Sequence, residues 1–537
     1  MPHPIGIDLG TTYSAIAKWE VKPTHTGPYV YNNPTENNSG GSLTLASKVY
    51  FPNAESVEKP VVGRPAIQRG ITKPNLYFKA FKRGMDDNAV IERDGGFRIT
   101  PVELSSIVLK KLFATAEAEE GPGSWIPEGV VVSVPAYFNE KQNLNTVEAV
   151  KLAIKKQFEG RKGYNENIFI RLIPEPVAAG LDYVFEHPND IQHEKIVIFD
   201  LGGGTFDITI FEVINDLLNR KITFKTLATD GDDRLGGEDF DNTLKTYVIE
   251  DEGYEESKMS DDGKALLTER CTELKCALTI TESEEITVPY IVEQQHLEKV
   301  VTRKDFEQCM FGRSGARIDY ISDIRDRLIS AFDMAGVNFG EIDRCVLIGG
   351  SSQIPCIRSI LENLFSTNKV VVGNIGQGVA RGASLMAAYE LDRCAIDANR
   401  KPKYMSKWDE IIIIENTPHN IGIKTYRGYS TIIRQNMVTP ARGVKYFTPT
   451  ALNENGEIAV VQKIDVYQGG GQKWANVGAV EMPTIYAHGR QPDKINIKVE
   501  FIAESTQILS KITVEQGNAD KTDLMVSKTL TLSGTTK

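Results

Sequence analysis

The stretch Phe199-Asp-Leu-Gly-Gly-Gly-Thr-Phe-Asp207 decides the fold, because the chain carries a second segment of the same design. That segment, Ile5-Gly-Ile-Asp-Leu-Gly-Thr-Thr-Tyr13, places its Asp8 192 positions before Asp200. Each segment is an apolar strand that ends in aspartate, followed by a glycine and threonine turn and a returning strand. One such segment alone could equally well be an ordinary hairpin, whereas two of them indicate a duplicated architecture.

Length and composition set the class of protein. The 537 residues predict roughly three or four folding units. Hydrophobic residues make up 41% and charged residues 25%, which is typical of globular chains and excludes collagen, disorder and membrane insertion. The net charge of −11 argues against a nucleic-acid partner that is bound through its phosphates.

The cysteines and the N-terminus bear on the compartment. None of the six cysteines forms a C-x-x-C pair, so we expect reduced thiols rather than a disulfide framework. The first residues show no basic segment followed by an apolar core, so we expect no export signal. Together these features predict a cytoplasmic protein.

Helix and strand patterns alternate through most of the chain, which predicts helices layered on sheets. Thr100-Pro-Val-Glu103 is a capping box that predicts a helix up to Gly121, and Val130–Val134 and Cys345–Ile348 read as buried strands. Beyond residue 409 only short strands are indicated, and 493–501 alternates strictly. We therefore predict a first domain at 1–395, a linker at 396–415 and an all-β domain at 416–537.

The two glycine-rich turns suit phosphate, because backbone N–H groups without side chains can approach an anion closely. Asp8, Asp200 and Asp207 would repel phosphate alone, so a cation is needed between them, most economically Mg²⁺ held through water. The chain has no P-loop, dinucleotide-binding, zinc-protease or lipase motif. These features favour a nucleoside triphosphate site of another kind.

Five segments in order resemble the motifs of the heat shock protein 70 family of chaperones. They are Ile5–Ser14, Pro174–Ala179, Phe199–Asp207, Leu235–Asp241 and Leu347–Pro355. The resemblance covers the chain from Ile5 to about Arg393. It implies an α/β actin-like ATPase fold, with duplicated ribonuclease-H-like subdomains in two lobes that close over ATP.

The resemblance continues into an all-β sandwich that would bind substrate peptides. Ile411, Ile412, Ile413 and Ile414 are similar to the family's hydrophobic linker, which sugar kinases and actins of the same fold lack. We expect this linker to act as a docking strap, with a fixed buried strand as the alternative. The resemblance places a peptide groove at Ile423, Tyr426, Phe447, Ile464 and Ile497, although each could equally be a core residue. We expect the groove to have no helical lid.

The resemblance also implies the residues of the ATPase site. Asp8 and Asp200 would surround the magnesium shell, Glu175 and Asp207 would handle the attacking water, and Lys82, with Lys79 as the alternative, would lie near the γ-phosphate. Thr205, in the second turn, is the fourth implied catalytic residue beside Lys82, Glu175 and Asp207. The implied nucleotide-binding residues are Gly10, Thr11, Thr12, Tyr13, Gly202, Gly203, Gly237, Lys275, Cys276, Thr279, Gly349, Gly350, Ser351 and Gln353. Arg171 would dock a J-domain, with a solvated arginine as the alternative of nearly equal weight.

Departures from the family pattern concentrate at the adenine end. Cys276 and Gln353 stand where the family has arginines, Thr272 where it has glutamate, and Gly376 where it has aspartate. Pro174 replaces an asparagine beside Glu175. We therefore expect weaker adenine recognition than the family pattern implies.

The resemblance implies an ATP-dependent chaperone that uses ATP/ADP and Mg²⁺. Its partners would be extended or unfolded client peptides, a J-domain co-chaperone and a nucleotide exchange factor, with no nucleic acid and no membrane. We expect a monomer. The alternative, suggested by the altered adenine end, is a nucleotide-gated adaptor or assembly factor with little ATP turnover.

Overall fold

The computed structural model describes most of the chain. The described ranges are 3–22, 25–36, 41–53, 59–123, 125–292, 294–312, 318–404, 408–448, 463–470, 473–481, 495–505, 508–518 and 524–531.

The first part of the chain, up to residue 192, forms one mixed sheet with helices and smaller sheets around it. Its elements are β1 (Pro4–Asp8), β2 (Tyr13–Lys22), β3 (His25–Val30), β4 (Leu45–Ala46), β5 (Val49–Tyr50), β6 (Val61–Val62), α1 (Arg64–Thr72), β7 (Tyr77–Phe78), β8 (Ile91–Arg93), β9 (Phe97–Ile99), α2 (Pro101–Glu120), β10 (Gly129–Val134), α3 (Glu140–Phe158), β11 (Phe169–Pro174) and α4 (Glu175–Glu186).

The second part forms another mixed sheet with its own helices. Its elements are β12 (His193–Leu201), β13 (Phe206–Asp216), β14 (Lys221–Asp232), α5 (Gly237–Asp251), α6 (Asp261–Leu278), β15 (Ser283–Val292), β16 (Gln295–Thr302), α7 (Arg303–Met310), α8 (Tyr320–Ala335), β17 (Arg344–Ile348), α9 (Pro355–Phe365), β18 (Val370–Val372) and α10 (Gly378–Asp397).

The third part contains strands only in its described residues. They are β19 (Glu410–Ile414), β20 (Asn420–Thr425), β21 (Gly428–Ile433), β22 (Ala441–Phe447), β23 (Lys463–Gly470), β24 (Lys473–Glu481), β25 (Ile495–Ser505), β26 (Ile508–Asn518) and β27 (Leu524–Thr531).

The two large sheets repeat one design, as the paired hairpin motifs predict. The first sheet has the order β11-β10-β1-β2-β3, and the second has β18-β17-β12-β13-β14-β19. In each sheet, the two strands of the hairpin motif and the strand that follows them pair in antiparallel order. Two further strands lie on the other side of the motif's first strand and run parallel to it. The duplication predicted from the sequence is therefore confirmed in the backbone.

Local signals predicted several elements correctly. The Thr100 hydroxyl accepts a hydrogen bond from the Glu103 N–H, and this capping box begins α2 as expected. The buried strands predicted at 130–134 and 345–348 are β10 and β17. The alternating strand predicted from Asp493 is described from Ile495 onward, and residues 493 and 494 lie outside the described residues.

Helices α4 and α10 pack between the two sheets and form one apolar core with them. The approach is close enough to exclude side chains at particular positions. A Cβ on Gly382 of α10 would lie 1.8 Å from the carbonyl oxygen of Ala178, and one on Gly6 would lie 2.1 Å from the backbone nitrogen of Ser384. Glycine is therefore required at both positions for the sheets and helices to meet.

The four isoleucines of the predicted linker form an edge strand of the second sheet. Strand β19 pairs in parallel with β14, with Ile411 opposite Ile222 and Ile413 opposite Phe224. Ile411 is buried in the core between the sheets, and Ile413 packs against it. The predicted linker residues are thus paired with the second sheet in this structure. Their release as a strap stays a prediction. The domain limits also stay predictions, and α10 ends at Asp397.

The third part is a sandwich of two four-stranded sheets, β21-β20-β23-β24 and β22-β25-β26-β27. Three of the five expected groove residues, Ile423, Ile464 and Ile497, are buried in its core, which favours the core alternative for them, while the groove assignment stays a prediction. The physical reason is strand alternation, which turns these side chains toward the facing sheet. Tyr426 is 72% exposed, and Phe447 is half-buried against the core.

Candidate functional site

Four carboxylates meet where the two large sheets face each other. Asp8 ends β1, Glu175 begins α4, and Asp200 and Asp207 lie opposite each other across the β12–β13 hairpin. Glu175, Asp200 and Asp207 are buried and Asp8 is half-buried. The strand-to-turn and strand-to-helix junctions thus deliver all four groups to one place.

The pKa values of the three aspartates reflect this crowding. Burial, followed by the charge of Glu175, raises the pKa of Asp8 to about 7, although Lys82 and the Ser133 hydroxyl oppose the shift. The pKa of Asp200 is raised well above its usual value by burial and by Glu175, Asp207 and Asp8. Burial and Glu175 likewise raise the pKa of Asp207. The site therefore holds more negative charge than its surroundings neutralise.

Lys82 supplies the cation of this cluster. Its Nζ donates to Oε1 of Glu175 at 2.7 Å, and its side chain is 4% exposed. Lys79, the alternative candidate, is half-buried and lines a separate surface cavity beside α6. It has no ion pair among the described residues. The geometry brings Lys82, not Lys79, to Glu175.

The donor set fits magnesium held through water. One lysine stands against four carboxylates, so a further cation would relieve their repulsion. In the part of the chain that the structure describes, no three His, Cys, Asp or Glu side chains are arranged to ligate a metal directly. Carboxylates that reach magnesium through its water shell would need no such arrangement.

The two phosphate-type turns touch each other. A Cβ on Gly203 would lie 1.8 Å from Oγ1 of Thr12, and one on Gly204 would lie 2.4 Å from the side chain of Thr11. The Gly202 N–H donates to the Thr205 carbonyl at 3.0 Å, which closes the second turn. Oγ1 of Thr12 is buried and has no hydrogen-bond partner among the described residues. An unpaired hydroxyl between two glycine turns is suited to an anionic ligand.

A second group of predicted residues gathers beside these turns. A Cβ on Gly237 would approach Oγ of Ser351 and Nζ of Lys275 within 2.8 Å, and one on Gly349 would lie 2.7 Å from Oδ1 of Asp200. Lys275 donates to the Gly237 carbonyl at 2.7 Å. The glycines let the second sheet's turns and helices converge on the carboxylates.

The remaining predicted residues include those expected at the adenine end, and Tyr13, expected at the phosphates. Thr279 donates to the Lys275 carbonyl, Gln353 donates to the Ser352 hydroxyl at 3.1 Å, and the Cys276 side chain is exposed. Tyr13 is 53% exposed, and Gly350 has open space around its Cα. The hydrogen bonds of Thr279 and Gln353 are to residues nearby in the chain, and Tyr13 and Cys276 are exposed, so these residues are held by fewer long-range contacts than the carboxylates.

No sequence pattern predicted the four contacts that Arg83, Tyr77 and Lys48 of the first part make with the second part across the cleft. Arg83 forms an ion pair with Asp239 at 2.5 Å and also donates to the Gly204 carbonyl. The Tyr77 hydroxyl donates to Glu269 at 3.0 Å, and Lys48 lies 3.7 Å from Glu238. Asp239 belongs to the quoted Leu235–Asp241 motif, and Arg83 follows Lys82, so both were adjacent to residues already singled out.

Tyr137 connects the carboxylates with the sandwich, and no sequence signal indicated it. Its backbone N–H donates to Oδ1 of Asp207 at 3.2 Å, while its carbonyl accepts from Nε2 of His419 at 2.9 Å. The Tyr137 and His419 rings also pack edge to face at 4.3 Å. Close by, the Glu140 N–H donates to Oε1 of Gln468 at 2.8 Å. The two peptide groups that flank Tyr137 thus contact the site on one side and the third part of the chain on the other.

Arg171, the expected J-domain position, lies on β11 and forms an ion pair with Glu390 of α10. Its side chain is 39% exposed, so the guanidinium is partly accessible.

Comparison with known proteins agrees with the architecture. The family model described as Hsp70 protein matches residues 4–535, nearly the whole chain. The family implies an actin-like ATPase followed by a β-sandwich, and the mixed α/β sheets and the paired four-stranded sheets are consistent with that plan. None of the helices that the structure describes is both long and apolar enough to span a membrane. The chain therefore belongs to the Hsp70 family of ATP-binding chaperones that act in protein folding.

Proposed function

We propose that this chain hydrolyses ATP with Mg²⁺ and uses the nucleotide state to control binding of extended client polypeptides. The observation that carries the proposal is the set of Asp8, Glu175, Asp200 and Asp207, three of them buried, with Lys82 at the junction of two glycine turns. Bound ATP would supply the phosphoanhydride bond, and bound Mg²⁺ would supply the positive charge that the carboxylates need.

The proposed work of each residue follows from its contacts. The backbone of the two turns, with the Thr11 and Thr12 hydroxyls, would hold the phosphates. Lys82 binds Oε1 of Glu175, which leaves Oε2 to orient a water and accept its proton. Asp207, fixed by the Tyr137 N–H, would share that work, while Asp8 and Asp200 would hold the magnesium waters.

Coupling to the sandwich would run through Tyr137 and the linker. A shift of Asp207 when the γ-phosphate is lost would move the backbone of Tyr137, and with it the carbonyl that accepts from His419. Release of β19 from β14 would then free the sandwich, so that two arrangements exchange. A differential interaction of 1–3 kcal/mol is the usual scale of such coupling. The ATPase unit would span 1–395, the linker 396–415 and the sandwich 416–537.

Single-turnover hydrolysis by a Glu175→Gln variant tests this function. Loss of one positioned proton acceptor should slow the chemical step by about 10²- to 10⁴-fold. Glu148→Gln is the matched control, because Glu148 is exposed on α3, away from the cluster. An unchanged rate in Glu175→Gln would contradict the assignment.

A nucleotide-gated adaptor with little turnover is the second candidate, favoured by the exposed Cys276 and the locally bonded Gln353. The two candidates differ in the response to a J-domain protein. A chaperone cycle requires that the J-domain stimulates hydrolysis, whereas an adaptor requires only that ATP binds.

A further inference from the structure

A cavity of about 670 Å³ lies where both large-sheet units meet the sandwich. Tyr137 and Gln142 line it from the first unit, Asp233 and Arg327 from the second, and His419 and Trp474 from the sandwich. Its volume is within the range of small-molecule sites, roughly 300–1,000 Å³. It is separate from the carboxylates of the ATPase site, none of which lines it.

His419 presents an unused acceptor at this cavity. Its Nε2 donates to the Tyr137 carbonyl, and burial lowers its pKa below the usual value, so the ring is neutral and Nδ1 carries a lone pair. His419 is 8% exposed, and Nδ1 has no hydrogen-bond partner among the described residues. Buried polar atoms are nearly always paired, so a missing donor is indicated here.

The charges around the cavity are also incompletely neutralised. Asp230 and Asp232 share the single guanidinium of Arg327, at 3.0 and 2.8 Å. Asp86 pairs with Arg234 at 3.2 Å. Asp233 accepts a hydrogen bond from the Gln142 amide at 3.2 Å but has no ion-pair partner among the described residues. The lining thus has four carboxylates against two guanidinium groups.

Trp474 adds an aromatic wall. Its ring stacks on Tyr429, with centroids 4.8 Å apart and planes within 7° of parallel, which holds the indole in place. Tyr429 covers one face of the indole, so a cation in the cavity could stack only on the opposite face.

We propose that this cavity binds an organic cation with several N–H donors, either a free polyamine or the guanidinium of an arginine side chain. The ligand would donate to Nδ1 of His419 and to Asp233 while it lies against Trp474. Because the lining comes from both large-sheet units and the sandwich, the ligand would favour the docked arrangement over the undocked one.

Intrinsic fluorescence of the full-length protein tests the site directly. Of the four tryptophans, Trp19, Trp125 and Trp408 are at most 3% exposed, so a ligand at the cavity should change chiefly the emission of Trp474. The probes are spermidine and, in a separate arm, N-acetyl-arginine amide, both at constant ionic strength. We expect saturable binding by fluorescence and calorimetry, and the probe that binds identifies the source of the cation.

Two variants and one control make the test specific. Asp233→Asn should weaken binding roughly tenfold, because it removes a charged hydrogen-bond acceptor. Asp397→Asn, an equal change of charge at the exposed end of α10, should leave binding unchanged. Trp474→Phe should abolish the emission change while calorimetry still detects binding. Thermal unfolding of each variant checks that it is folded.

The proposal is overturned if neither probe binds saturably, if Asp233→Asn and Asp397→Asn weaken binding equally, or if the emission change survives in Trp474→Phe. The experiment measures no hydrolysis, so its failure would leave the proposed ATPase function untouched.

Discussion

Replacing Lys82 by methionine should expose how strongly the carboxylate cluster depends on its one lysine. Methionine keeps most of the aliphatic volume and removes the charge that binds Glu175 at 2.7 Å. Lys82 and Glu175 are 3% and 6% exposed. Breaking a buried ion pair by removal of one partner costs about 3–5 kcal/mol, because the other charge remains buried and uncompensated. We expect Lys82→Met to lower the free energy of unfolding by that amount at pH 8, without nucleotide or Mg²⁺.

The loss should depend on pH in a defined direction. The pKa of Asp8 is about 7 in the folded protein, whereas that of an unperturbed aspartate is 3.8. The pKa values of Asp200 and Asp207 are raised too. Below pH 7 the carboxylates of the folded cluster take up protons, and this loss of negative charge partly compensates for the missing positive charge of Lys82. The cost of Lys82→Met should therefore be smaller at pH 5.5 than at pH 8. Urea denaturation followed by circular dichroism, with magnesium chelated, measures both values.

Two further variants identify the cause. Glu175→Gln in the Lys82→Met background removes the orphaned charge and should restore part of the lost stability. Lys79→Met, the matched control, should change stability by no more than about 0.5 kcal/mol. The reasoning is refuted if Lys79→Met is as destabilising as Lys82→Met, or if the double variant is no more stable than Lys82→Met alone.

Three other outcomes are expected. If the adenine end lacks a stacked arginine, Cys276→Arg should tighten ATP binding by about 2- to 30-fold in calorimetry. Unchanged affinity would mean that another side chain already stacks on the adenine. Without metal, stability should fall as pH rises from 3.8 toward 7, because the folded protein keeps a proton on Asp8 that the unfolded chain has lost; Asp8→Asn should flatten this fall in urea titrations, and an identical slope would contradict it. Ile411→Asp should abolish the effect of ATP on peptide dissociation while basal hydrolysis persists. Ile412→Asp, on the other face of β19, should reduce this effect of ATP less. Global unfolding by Ile411→Asp would favour a fixed strand.

Local patterns predicted those parts of the structure whose causes are local. The Thr100 capping box and the two Asp-glycine hairpins specify their own turns within a few residues, so α2 and both sheets' central strands were predictable. The burial of Ile464 and Ile497 was ambiguous, because alternation predicts one buried face without saying whether it meets a facing sheet or a ligand.

The missed parts of the site depend on contacts between distant residues. The pair of Arg83 with Asp239 and the bonds of Tyr137 to Asp207 and His419 exist only after the large sheets and the sandwich have assembled. No periodicity or turn signal in the sequence encodes such a contact. The carboxylates themselves were predictable because each lies next to a recognisable turn or helix start.

The contacts across the cleft have a kinetic consequence. Arg83 with Asp239, Tyr77 with Glu269 and Lys48 with Glu238 would all have to separate before a closed cleft could open. Two of them join charged groups only 2.5 and 3.7 Å apart, well inside the screening distance of roughly 8 Å at physiological ionic strength, so salt weakens them only slightly. Because all three contacts would have to break in one opening event, they would lengthen the residence time of a trapped molecule at any physiological salt concentration.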